Sequence, residues 1–154
     1  MIIDKLLSPA IRRSLADFTV STQTITPPGS GQSGVMDLGA ARNIGLLSKP
    51  YGPGWDINFR GGTSGGAATA QLLLVTDDNA ALSSPTTLYT SPSFTLAQTV
   101  KGDLFVPVPD LDTYERYLAW RIIVGTAVFT GGTLLIEYVA DMRRYRAYPS
   151  QGNR

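Results

Sequence analysis

Turn-forming residues recur along this chain too often for long helices, and the stretches between them alternate in polarity. With 16 glycines and 10 prolines in 154 residues, turn signals fall about every 8–12 residues, the spacing of a β-sandwich or barrel. Phe18 to Ile25 (FTVSTQTI) is β-branched and alternating, as a strand requires. Residues 26–34, with two prolines and three glycines, read as a loop, and Val35 to Leu38 as a short strand. In WDINFRG, Trp55, Ile57 and Phe59 fall on one face and Asp56, Asn58 and Arg60 on the other. Ala70 to Thr76 is a short apolar run closed by an Asp77-Asp78-Asn79 turn. Leu88 to Thr90 and Phe94 to Ala97 read as edge strands split by Ser91-Pro92, and Asp103 to Val108 as another strand. The strongest patterns come late: Leu118, Trp120, Ile122 and Val124 share a face, as do Leu134, Ile136 and Tyr138, with TAVFTGG turning between them.

The chain is therefore expected to be all-β, a single-domain jelly-roll-like sandwich over residues 18–141. Residues 1–17 carry Ile2, Ile3, Leu6, Leu7, Ile11 and Leu15, but Pro9 interrupts any helix there. An extended arm with a short helical turn after Pro9 is expected, buried on its own sheet or on a neighbouring chain. Residues 142–154 form a basic, aromatic tail.

Composition removes whole classes of chemistry. There is no histidine and no cysteine, which rules out Ser-His-Asp and Cys-His catalysis, ordinary zinc sites, disulfides and a histidine pH switch. A net charge of +1 gives no general attraction to nucleic acid or membranes. Charged residues make up 16% of the chain, against about 25% in soluble domains, as when neighbours cover part of the surface. Asp4, Lys5 and Pro9 break the apolar start, so no signal peptide is expected. No run reaches the roughly 18 apolar residues of a membrane span, and synthesis in the cytoplasm is expected.

Several constellations invite a functional reading beside a plainer one. GGTSGG (61–66) lacks the lysine and following helix of a phosphate-binding loop, so a flexible hairpin loop is preferred. Asp77, Asp78 and Asn79 could ligate calcium, but their spacing lacks the alternating ligands of an EF-hand, and a self-capping turn is preferred. Asp110 and Asp112, with Glu115, could pair for sugar hydrolysis, yet acidic turns before a strand are common. Trp55 and Trp120 are read as core. In the tail, Arg143, Arg144, Tyr145, Arg146 and Tyr148 suit an acidic protein surface better than nucleic acid; a solvated chain end is the plainest reading. No catalytic residue, cofactor or metal is expected.

The order VMDLG (35–39), WDINFRGG, GGAATAQLLLVTDDNAALSSPTTL (65–88) and ERYLAWRIIVGTAVFTGGTLLIEYV (115–139) resembles the jelly-roll capsid cement, or decoration, proteins of podovirus-like tailed bacteriophages. The TDDN turn with its LSSPT continuation and the RYL…VGTA.FTGG hairpin carry the likeness, over about two-thirds of the chain. It implies a structural, non-enzymatic virion protein on the capsid exterior that clamps neighbouring copies of the major capsid protein. It also implies a small homo-oligomer, with a trimer favoured over a dimer. The expected contacts are Ile2, Ile3, Leu6, Leu7 and Ile11 of the arm, Tyr51 of the 40–54 loop, and the tail residues just named. The alternative is a carbohydrate-binding jelly-roll module, receptor-binding or lectin-like, with the same fold class.

Overall fold

The computed structural model describes residues 11–25, 34–40, 54–107 and 114–139. Among them are ten strands: β1 (Ile11–Ser14), β2 (Thr22–Thr24), β3 (Val35–Asp37), β4 (Gly54–Thr63), β5 (Thr69–Asp77), β6 (Thr86–Thr90), β7 (Phe94–Thr95), β8 (Lys101–Pro107), β9 (Tyr117–Gly125) and β10 (Gly131–Val139). One short helix, α1 (Leu96–Val100), precedes β8. The strands form two antiparallel sheets that pack on each other, the all-β sandwich that the alternation requires.

The first sheet has the order β1-β10-β4-β8 and the second β2-β9-β5-β6. β3 continues the lane of β2 along β9, and β7 continues that of β6 along β5. Each sheet is thus four lanes wide. Apart from the β5–β6 hairpin and the continued lanes, each connection carries the chain from one sheet to the other.

Alternation fixes which side chains meet between the sheets. Trp55, Ile57 and Phe59 of β4 and Leu134 and Ile136 of β10 line one inner face. Leu72 and Leu74 of β5, with Leu118, Trp120 and Ile122 of β9, line the other. Trp55 and Trp120 meet edge-to-face with centroids 5.6 Å apart, so both indoles are core, as expected. Thr76 is fully buried but satisfied: its hydroxyl donates to the Tyr117 carbonyl and accepts from the Glu115 amide, each at 2.9 Å.

Four expectations need correction. Phe18 to Ile25 is not one strand. The chain makes a 3-10 turn at Leu15–Asp17, buries Phe18, exposes Val20, and becomes a strand on β9 only over Thr22–Thr24. GGTSGG is not a hairpin loop either. β4 runs through Gly61 and Gly62 to Thr63, and the turn beyond leads to a strand of the other sheet. The ladder slips here opposite Gly132, whose φ is +113°, and a Cβ on Gly132 would stand 2.8 Å from the Gly62 Cα. These glycines permit a close bulged crossing of two backbones. Residues 126–130 likewise join β9 to β10 of the opposite sheet, so the expected late hairpin is a crossover. Finally, Leu96 and Ala97 belong to α1, whose start is held by the Thr95 amide donating to Gln98 Oε1 at 2.9 Å.

Candidate interaction surfaces

Of the residues expected to make contacts, Ile11 alone lies among the described residues. It opens β1, faces Ile136 across the ladder and is 6% exposed, so it packs into the sandwich of its own chain. Its assignment as a contact residue is corrected accordingly, and the sandwich begins at β1 rather than at Phe18. Apolar burial explains the placement: Ile11 and Leu15 both enter the main core. Ile2, Ile3, Leu6, Leu7, Tyr51, Arg143, Arg144, Tyr145, Arg146 and Tyr148 lie outside the described residues, as do Asp110 and Asp112.

The attachment points of the three expected contact segments are nonetheless defined. In the first sheet Val139 pairs with Gly54, and Gly54 with Pro107. Ile11 pairs with Ile136, three residues from the end of β10. The arm, the 40–54 loop, the 108–113 connection and the tail therefore all join the sandwich at one end of one sheet. Four adjacent lanes about 4.8 Å apart carry these joints.

The acidic turn after β5 is the most constructed loop among the described residues. Asp77 Oδ1 accepts from the Asn79 amide at 3.0 Å, and Oδ2 from the Ser84 amide at 2.9 Å. Asn79 repeats the motif, its Oδ1 accepting from the Ala81 amide at 2.9 Å. These Asx turns bend the chain back over the outer face of the second sheet. There Leu82, only 4% exposed, plugs a socket formed by Val75 and Ala119, with Val35, Leu73 and Tyr117 around it. Arg121 closes the arrangement, donating from Nη2 to the Leu82 carbonyl at 2.9 Å. Sequence reasoning missed this second apolar cluster. Its only signal was Leu73 and Val75, the two apolar residues in the Ala70–Thr76 run that break the alternation of Leu72 and Leu74.

Asp77, Asp78 and Glu115 bring carboxylate oxygens within 4.8 Å of one another. Both Asp77 oxygens already accept backbone amides, which agrees with the self-capping turn expected from the sequence. The Asn79 and Ser84 amides, in that order, hold the Asp77 carboxyl below its ordinary value of 3.8, against an opposing effect of burial. A depressed folded pKa contributes stability that is present above the ordinary value and is lost as pH falls through the folded value. The stability advantage of the wild type over Asp77→Asn is therefore expected to shrink as pH falls from 7 to 3. Urea midpoints of the two proteins measure it, and a gap independent of pH would show that the carboxylate charge is not the clamp.

GGTSGG supports no phosphate loop, because the next element along the chain is β5 and not a helix. Several other surface charges are paired locally. Arg116 grips Asp37 through two bonds of 2.9 Å, and Arg60 pairs with Asp103 at 2.6 Å. No helix among the described residues is long and apolar enough to cross a membrane. No protein-family model matches this chain, and no curated protein matches it.

Proposed function

We propose that this chain is a structural virion protein, a capsid cement protein that binds the outside of a bacteriophage head and clamps neighbouring major capsid subunits. The observation that carries this reading is that the residues from which the arm, the 40–54 loop and the basic tail extend, Ile11, Gly54 and Val139, lie at one end of one sheet. Three segments rooted within a few lanes of each other can engage one partner surface together. Several weak contacts then act at high effective concentration. The protein would bind the closed shell better than an opened one and so stabilise the closed state by mass action.

Strand order supports the jelly-roll part of the reading. Numbered as eight lanes along the chain, the sheets run 1-8-3-6 and 2-7-4-5, the order of two nested Greek keys found in viral capsid and lectin domains. The mechanism needs no reactive side chain, which suits a chain without histidine or cysteine.

Co-sedimentation with capsids stripped of cement protein tests the proposal. The full chain should saturate the shells, and deletion of residues 1–10 or Arg143, Arg144 and Arg146→Ala should lower occupancy severalfold. The deletion must stop at residue 10, because Ile11–Ser14 is a strand of the core sheet. A chain that leaves the shells bare but binds a glycan array would overturn the proposal in favour of a carbohydrate-binding module.

A further inference from the structure

Alternation turns every second residue of β10, β4 and β8 away from the core, and the ladders of the first sheet set these residues in rows. The row nearest the contact segments reads Glu137, Asp56 and Phe105. The next reads Leu135, Asn58 and Asp103, with Arg12 of β1 across from Leu135. Arg60 and Lys101 stand in the row beyond, where Arg60 pairs with Asp103. The outer face is thus polarised, with two adjacent carboxylates at the contact end and the basic side chains towards the other. Glu137 and Asp56 are directly opposed in the ladder, an unfavourable placement for like charges, and both are half-buried. Phe105 beside them is half-buried too, and its ring lies over Gly54, where a Cβ would overlap it. The 3-10 turn and α1 pack near Gly132 and Gly62, at the opposite end of the sheet, so no described helix covers this row.

We propose that this row seats the chain's own C-terminal tail, its arginines on the Asp56–Glu137 pair and its tyrosines beside Phe105. Charge selects the occupant. Residues 142–154 hold Arg143, Arg144, Arg146 and Arg154 and no acidic residue. A guanidinium placed over two opposed carboxylates turns their repulsion into charge-assisted hydrogen bonds. The path of the chain agrees. The tail follows Val139, in the lane beside Gly54 and two residues beyond Glu137, a rise of about 7 Å. A reversal of about four residues after Val139 brings Arg143 and Arg144 back to the level of the pair. So short a tether gives the tail an effective concentration of about millimolar, which a free basic segment does not match. The 40–54 loop joins the same end, but its basic residues, Arg42 and Lys49, stand singly.

A seated tail changes what the contact end offers. It is partly ordered before any partner arrives, which lowers the cost of ordering it in a contact. Two carboxylates beneath Arg143, Arg144 and Arg146 still leave a cation for an acidic partner surface. The proposal does not rest on the cement reading, since it concerns the free chain.

Trypsin, which cuts after arginine, tests the seat in the full chain. Asp56→Asn with Glu137→Gln removes both charges and keeps the side-chain shapes, so circular dichroism should not change. Cleavage after Arg143, Arg144 and Arg146, followed by mass spectrometry, should be about fivefold slower in the wild type than in this variant, the scale of two half-exposed ion pairs. Salt at about 1 M, which screens charges beyond roughly 3 Å, should abolish the difference. Protection should be the same in dilute and concentrated protein. Because the chain has no cysteine, Glu137→Cys with Arg144→Cys gives a second reading and should form a disulfide within one chain on mild oxidation. Equal cleavage of wild type and variant, protection that appears only in concentrated protein, or a disulfide formed only between chains would each overturn the proposal. The last two would give the seat to the tail of a second copy. Capsid co-sedimentation of the same proteins judges the cement reading separately.

Discussion

Trp120→Ala is expected to remove about 3–5 kcal/mol of unfolding free energy, enough to leave a domain of this size marginal or unfolded. Trp120 is fully buried at the middle of β9 and connects three parts of the molecule. Its ring meets Trp55 of the opposite sheet at 5.6 Å and Tyr89 of edge strand β6 at 6.4 Å, both near-perpendicular. Its carbonyl accepts the Ile25 amide at 2.9 Å, which ends the lane of β2. Alanine would open a cavity between two sheets whose backbones are fixed by their ladders, so little collapse can fill it. Trp120→Phe should behave differently. The Nε1 hydrogen is buried and has no hydrogen-bond partner among the described residues, and an orphaned donor of this kind costs about 1–3 kcal/mol. Phenylalanine sheds that donor, keeps an aromatic edge for Trp55, and should lose no more than about 1.5 kcal/mol. Urea midpoints at constant m measure both variants. A phenylalanine variant as unstable as the alanine one would mean that the full indole volume, rather than ring contact, holds the sheets.

The sequence made the inner faces readable because period-2 alternation depends only on the local chain and on which side faces the core. Trp55-Ile57-Phe59, Leu118-Trp120-Ile122 and Leu134-Ile136 all point inward as their spacing requires. Partner choice is a different quantity. TAVFTGG looks like a hairpin turn because it is short and glycine-containing, yet it bridges two sheets, and nothing local records which strand waits opposite. α1 escaped notice because five residues are too few to show a helical period, and its cap depends on Gln98 reaching back to Thr95. FTVSTQTI alternates well, but its ends, Phe18 and Ile25, enter the core while Val20 is exposed. Burial of the two ends overrode the strand propensity of the middle.

The candidate surfaces divide in the same way. The apolar arm and the arginine-rich tail were visible as composition, since such features need no fold to be noticed. Their common root at one end of the first sheet was not, because it arises from ladder registers joining Ile11, Gly54, Pro107 and Val139, residues far apart in sequence.

Leu82→Ala should cost about 2 kcal/mol, the lower end for a buried leucine, because its socket is a small satellite of the main core. The glycine variant supplies the sharper test. Leu82 has a φ of +50°, a left-handed conformation that costs a leucine about 1–2 kcal/mol. At ordinary positions glycine is worse than alanine by about 0.5–1 kcal/mol. Here the order should reverse, with Leu82→Gly at least as stable as Leu82→Ala, because glycine alone adopts this φ without strain. The wild-type chain tolerates the strain because Leu82 fills the Val75–Ala119 socket and its carbonyl is held by Arg121. Asp77 fixes both ends of the same loop. Amide exchange should speed up at Leu82 and Ser84 in both variants while the ladder of β5 and β9 stays protected. An alanine variant with unchanged exchange, or one more stable than the glycine variant, would show that Leu82 rests on the sheet without latching the loop.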